Sequence, residues 1–129
     1  MNEKLQRILY VEDEADIRTV ARLALEAVGG FTVELAASGD EALLRAKEFR
    51  PDLLLLDVMM PGMDGQATLG ALRALPETAA VPAIFMTARA QPAEVAALKA
   101  QGALGVITKP FDPMRLADQV RHLWESRDV

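Results

Sequence analysis

Leu53-Leu54-Leu55-Leu56-Asp57-Val58-Met59-Met60-Pro61-Gly62 is the stretch that decides the fold of this chain. Consecutive leucines show no alternation of apolar and polar sides, so a strand here must be covered on both faces, as in the interior of a parallel sheet. The run is far too short to cross a bilayer. A carboxylate closing such a run is costly unless it has a task, because burial strips its hydration. Pro61-Gly62 and Asp64-Gly65 behind it are turn chemistry.

The same reading extends in both directions. Ile8-Leu9-Tyr10-Val11 is another continuous apolar run, and residues 16 to 28 then repeat apolar residues at helical spacing until Gly29-Gly30 stops them. A weaker strand is expected over Phe31 to Ala36. Ser38-Gly39-Asp40-Glu41 is a capping-box pattern opening a helix to about Phe49. After the Leu53 to Val58 strand come a third helix over 64 to 75, a strand over 83 to 86 and an Ala-rich helix from Pro92 to Gln101. A last strand over 105 to 108 and a last helix over 113 to 125 complete the set. Strand and helix alternating five times predict an α/β fold: a doubly wound, five-stranded parallel sheet with helices on both faces. One domain is expected over residues 5–125, with a short loose tail over 126–129 and no output domain in this chain.

Composition narrows the chemistry. The chain has 129 residues, 19 Asp+Glu against 14 Lys+Arg, a net charge of −5, one histidine and no cysteine. Disulfides, thiolate metal sites and Cys nucleophiles are excluded, and a lone His122 cannot build a multi-histidine metal site. The acidic balance argues against direct nucleic-acid binding by this chain, which needs clustered Lys and Arg. The first residues are polar and lack the apolar core of a signal peptide, so a cytoplasmic protein with no membrane segment is expected.

In doubly wound sheets ligands bind beyond the carboxyl ends of the strands. The residues following the apolar runs are Glu12-Asp13-Glu14, Asp57, Thr87 and Lys109. Crowded carboxylates repel one another unless a cation sits among them, and hard oxygen donors suit Mg²⁺. A lysine and a threonine can donate to phosphate oxygens. The set reads as a phosphoryl-transfer site. Taken singly the parts are less telling: Glu12-Asp13-Glu14 also reads as an acidic helix start. Thr87 also reads as a strand end or a cap, and Lys109 as a solvated strand end.

Val11-Glu12-Asp13-Glu14, the segment from Leu55 to Gly65, Phe85-Met86-Thr87-Ala88 and Thr108-Lys109-Pro110-Phe111 together resemble the signatures of bacterial response-regulator receiver domains, in order and over nearly the whole chain. The resemblance implies a flavodoxin-like sheet of order 2-1-3-4-5. It implies an aspartyl-phosphate switch in a two-component or phosphorelay pathway. Asp57 would be the phosphoacceptor, taking its phosphoryl group from a sensor histidine kinase or a histidine phosphotransfer protein. Glu12, Asp13, Asp57 and the Met59 main-chain carbonyl would hold Mg²⁺, while Lys109 and Thr87 would contact the phosphate. A downstream protein would read the face made by the fourth helix, fifth strand and fifth helix, on a monomer or a phosphorylation-linked dimer. The chemistry is self-directed, so an enzyme turning over a small molecule is not expected.

Four positions are expected to modulate the switch. Ala88 and Arg89 follow Thr87, and Pro110 follows Lys109, where the family often has a cis peptide. Val106 stands where the family often has an aromatic that transmits the signal, so an aromatic flip is not available here. Met59 and Arg89 occupy positions that in the family tune access of water to the phosphate. Two competing functions stand beside this one. A Mg²⁺-dependent aspartate-nucleophile phosphatase usually carries a second Asp two residues after the nucleophile, where this chain has Met59. A phosphorylation-independent interaction module would not need the full acidic, Thr and Lys set. A nucleotide site fails at once, since neither glycine-rich phosphate motif is present.

Overall fold

The computed structural model describes residues 4–127. Its sheet is built around the leucine run: the strand Leu53–Asp57 is buried at every position. In chain order the strands are β1 (Arg7–Val11), β2 (Thr32–Ala36), β3 (Leu53–Asp57), β4 (Ala83–Thr87) and β5 (Gly105–Thr108). The helices between and after them are α1 (Ala15–Leu23), α2 (Gly39–Phe49), α3 (Gly65–Arg73), α4 (Pro92–Ala100) and α5 (Leu116–Glu125). All pairings are parallel, in the order β2-β1-β3-β4-β5. The expected doubly wound sheet of order 2-1-3-4-5 is the one observed.

The period of two along each strand sorts the core into two layers. Ile8, Tyr10, Leu53, Leu55, Ile84, Met86 and Ile107 face Ala21 and Leu25 on one segment and Leu116, Val120 and Trp124 of α5. Leu9, Val11, Leu54, Leu56, Ala83 and Phe85 face Ala42 and Ala46 of α2, Leu69 and Leu72 of α3, and Leu98 of α4. Every strand end therefore points the same way, and the loops after β1, β3, β4 and β5 gather at one edge. No helix among the described residues is long and apolar enough to cross a membrane.

Several boundaries differ from expectation for local reasons. The first helix does not run unbroken to residue 28: from Ala24 to Val28 it widens into a π-helical turn, with the Gly29 N–H donating to the Ala24 carbonyl at 3.2 Å. The wider turn presents both Ala24 and Leu25 to the core, although they are adjacent in sequence. Gly29 follows because a Cβ there would sit 2.7 Å from the Cβ of Ala117. The last helix starts at Leu116 rather than Pro113, because Asp112 closes a turn first. Its carboxylate accepts from the Met114 N–H at 2.9 Å and its carbonyl from Leu116 at 3.0 Å.

Ser38 caps α2 as read, while the return contact of the box is shifted by one residue, to Ala37 instead of Ser38. Ser38 accepts from the Glu41 N–H at 3.1 Å, and the Glu41 carboxylate reaches back to the Ala37 N–H. Asp64 caps α3, its side chain accepting from Ala67 at 2.8 Å, instead of being its first residue. Trp124 is a core residue and His122 is exposed. The expected loose tail is tied down at Arg127, whose guanidinium lies 3.6 Å from the centre of the Trp124 ring and donates to the Trp124 carbonyl at 2.7 Å. The remainder of that tail, Asp128 and Val129, and the first three residues of the polar N-terminus lie outside the described residues.

Candidate functional site

β1 delivers Glu12 and Asp13 to the carboxyl edge of the sheet, with the Glu12 N–H still held to the sheet by the Ala36 carbonyl at 3.0 Å. β3 delivers Asp57 beside them, and the next residue, Val58, is pinned by its N–H to the Met86 carbonyl at 2.9 Å. The chain then has to return immediately as α3. It passes so close that a Cβ at Gly65 would lie 2.2 Å from the Asp57 carbonyl oxygen, which is why glycine stands there. β4 ends at Thr87 and β5 leads to Lys109, whose N–H donates to the Thr87 carbonyl at 2.8 Å. The Lys109–Pro110 peptide bond is cis.

Glu12 and Asp57 are almost wholly removed from solvent, at 0% and 2% exposure. Lys109 bridges them, its Nζ lying 2.9 Å from Glu12 Oε1 and 3.2 Å from Asp57 Oδ1. Three further groups hold Glu12. The Tyr10 hydroxyl donates to Oε1 at 3.2 Å, the Glu14 N–H donates to Oε2 at 3.2 Å, and Arg18 donates to the Glu12 carbonyl at 2.7 Å. Glu12, Asp13 and Asp57 each bring a carboxylate oxygen within 4.8 Å of the others.

The electrostatics follow from this crowding. Burial pushes the Asp57 carboxyl up, Glu12's charge adds to it, and Lys109 only partly opposes them, leaving Asp57 at about 6. Burial also works against the charged form of Glu12, but the Lys109 hydrogen bond and the Glu14 N–H outweigh it and hold Glu12 below the usual carboxylate range. Lys109 is raised: desolvation opposes its charge, and the carboxylates of Glu12 and Asp57 more than compensate. The Tyr10 phenol is pushed far up, by burial first and by Glu12 second, so it serves as a donor.

Lys109 pairs with two of the three clustered carboxylates, and the donor set is all hard oxygen. These residues fit a divalent cation of the Mg²⁺ class better than any soft metal.

Thr87 is buried and its hydroxyl is turned toward the loop behind it. Oγ1 accepts from the Arg89 N–H at 3.0 Å and donates to the Arg89 carbonyl at 3.4 Å. Arg89 itself is exposed, and its guanidinium pairs with Glu94 of α4 at 3.6 Å. Ala88 is exposed in the same loop, and Met59 is 71% exposed beyond the Asp57 strand end. Val106 lies in register with Phe85 and packs, partly buried, on the core layer beneath α2, α3 and α4.

Sequence reasoning left Tyr10 and Arg18 out of the site. Tyr10 carried a usable signal, since residues two apart on a strand share a face and Tyr10 precedes Glu12 by that step. Arg18 carried none, because an arginine on the first turns of a helix reads as solvated.

The model of the response regulator receiver domain family matches residues 8–121, which include every side chain just described. The chain belongs to this family.

Among relatives, the receiver is 41% identical over 117 residues to the phosphate regulon transcriptional regulatory protein PhoB of Rhizobium meliloti, covering 91% of this chain and 51% of that protein. It is 37% identical over 121 residues to the DNA-binding response regulator MtrA of Mycobacterium tuberculosis, again covering 51% of that protein. The chain thus spans about half the length of these curated relatives. Among solved structures, the chemotaxis response regulator CheY4 of Vibrio cholerae superposes with a TM-score of 0.84 at 32% identity, over 93% of this chain and 99% of that one.

Proposed function

We propose that this receiver accepts a phosphoryl group on Asp57 from a phosphohistidine of a partner, a sensor histidine kinase or a histidine phosphotransfer protein. The observation that carries the reading is the pairing of a buried, poorly compensated Asp57 with Lys109 at 3.2 Å, within an acidic cluster open to solvent through Asp13. An Asp57 oxygen attacks phosphorus, the P–N bond to the partner's imidazole breaks, and its electron pair leaves with the imidazole nitrogen. The product is an aspartyl phosphate.

Glu12, Asp13, Asp57 and the Met59 main-chain carbonyl are the groups proposed to hold Mg²⁺. Bound there, the ion supplies charge neutralisation for the transferring phosphoryl oxygens. Lys109 adds the second positive charge and is already placed against the nucleophile. Thr87 contributes its hydroxyl to a phosphate oxygen, and the loop of Ala88 and Arg89 follows it. This biases the face formed by α4, β5 and α5, on which a downstream protein docks. With Val106 in β5, the signal passes through that loop and not through an aromatic side chain. Met59 and Arg89 govern access of water to the acyl phosphate, Pro110 fixes the loop after Lys109, and no small-molecule turnover is involved. Membership of the receiver family and the acidic balance support a cytoplasmic module that contacts proteins rather than nucleic acid.

The test is phosphorylation by acetyl phosphate with Mg²⁺, read by intact mass. One phosphate is expected on the wild type, none on Asp57→Asn, and none in chelator. A wild type that stays unmodified while a control receiver is labelled would overturn the proposal in favour of a phosphorylation-independent interaction module.

A further inference from the structure

We infer that Tyr10 is a positioning residue for the metal ligands, fixing the Glu12 carboxylate in the orientation a small divalent cation requires. This inference rests on the reading of Glu12, Asp13 and Asp57 as ligands.

Tyr10 is fully buried beneath the site, among aliphatic side chains of β1, β3 and β4. A phenol in such a place needs a partner for its hydroxyl. Its partner is Glu12 Oε1, at 3.2 Å. The same oxygen accepts from Lys109 Nζ at 2.9 Å, while Oε2 accepts from the Glu14 N–H at 3.2 Å. Both oxygens of Glu12 are therefore held by donors from β1, from the residue after β5 and from the chain just ahead.

These donors are not equivalent. Lys109 also contacts Asp57 at 3.2 Å and is the group that turns to an incoming phosphoryl oxygen in the proposed reaction. When it does, the Tyr10 hydroxyl is the donor that stays on Oε1, because it sits inside the core and has no route to the phosphate. Glu12 then keeps its orientation while its other partner is recruited elsewhere. Outer donors that orient a ligating side chain typically matter about 10–100-fold in metal affinity. Mg²⁺ demands near-ideal octahedral geometry, whereas Ca²⁺ accepts irregular and variable ligand sets. A loosened Glu12 thus penalises Mg²⁺ more than Ca²⁺.

The first experiment is titration calorimetry of chelator-stripped Tyr10→Phe and wild type with Mg²⁺ and, separately, with Ca²⁺. The variant keeps the ring that fills the core. Mg²⁺ affinity is expected to fall about tenfold and Ca²⁺ affinity less than about threefold, so that the preference for Mg²⁺ narrows. Unchanged Mg²⁺ affinity overturns the inference, and so does a parallel loss for both ions, which is what simple loosening of the fold would produce. A wild type that binds neither ion overturns both this inference and the cation site beneath it.

A second readout needs no substitution. The chain has a single tyrosine, so 3-fluorotyrosine supplied during growth reports on position 10 alone. Its ¹⁹F resonance is expected to move in step with Mg²⁺ saturation, and a resonance that stays still through saturation counts against the coupling.

Discussion

Replacing Asp57 by asparagine is expected to make the metal-free protein more stable at neutral pH, although it removes an ion-pair partner. The native carboxyl binds its proton up to about 6, against 3.8 for an ordinary aspartate. Between those values the native state holds more proton than the unfolded chain, so stability falls as pH rises through the window, and the full penalty is present above it. Roughly two pH units at about 1.4 kcal/mol each put that penalty near 3 kcal/mol. With its side chain almost wholly buried, Asp57 gives solvent little chance to screen this.

Asparagine escapes the penalty, which is already net of the Lys109 contact, but leaves its own amide to be satisfied, which returns about 1–2 kcal/mol. The net gain is about 1–2 kcal/mol, or several degrees in melting midpoint for a domain of this size. The assay is thermal unfolding of both proteins in chelator, near pH 7.5 and again near pH 5. At the lower pH the advantage is expected to shrink by about 1 kcal/mol, as the wild-type carboxyl takes up its proton. Saturating Mg²⁺ is expected to work in the wild type's favour, since the variant lacks a ligand. An Asp57→Asn protein that melts at or below wild type near pH 7.5 in chelator would refute the reasoning, because burial and Glu12 repulsion would then not outweigh Lys109.

Gly65→Ala is expected to cost about 1–3 kcal/mol in urea denaturation, because its Cβ meets the Asp57 backbone at 2.2 Å and no flexible side chain can yield. A neutral result would show that the return into α3 is looser than described. Thr68→Val is expected to be neutral or stabilising by up to about 1 kcal/mol, since the buried Thr68 hydroxyl has no hydrogen-bond partner among the described residues. A clear loss of melting temperature would reveal a partner. Ser38→Ala is expected to cost about 1 kcal/mol through the lost bond to the Glu41 N–H. Glu41 is held below the ordinary carboxylate range chiefly by the Ala37 N–H, so its share of the cap is present at neutral pH and is lost as pH falls through that depressed value; equal acid sensitivity in Glu41→Gln would contradict this.

The sheet was legible because strands buried on both faces leave an unmistakable mark, and Leu53 to Leu56 carry it most strongly. The convergence of Glu12, Asp13, Asp57, Thr87 and Lys109 followed from the sheet itself, since parallel strands deliver their ends to one edge. What stayed hidden was set by local competition or by long-range contact. Asp112 took the Met114 N–H and delayed α5, and the π-turn after Leu23 arises from packing against α5 and β2 that no periodicity announces. Arg127 read as tail because nothing in its own neighbourhood foretells a ring to stack on. Tyr10 read as core, correctly, while its hydroxyl pointed to a second use.

The Thr87 hydroxyl has a consequence of its own. It both accepts from the Arg89 N–H and donates to the Arg89 carbonyl, so it acts as a clip closing a small ring of the β4–α4 loop. Anything that draws the hydroxyl away opens two backbone groups at once. The two bonds are only part-buried and the Arg89 side chain is 72% exposed, so opening costs on the order of 1 kcal/mol once the buried Thr87 hydroxyl has another partner. The clip is therefore weak by construction. A loop restrained this lightly yields as soon as the Thr87 hydroxyl is offered a better partner, and that single side chain sets how firmly the loop is held.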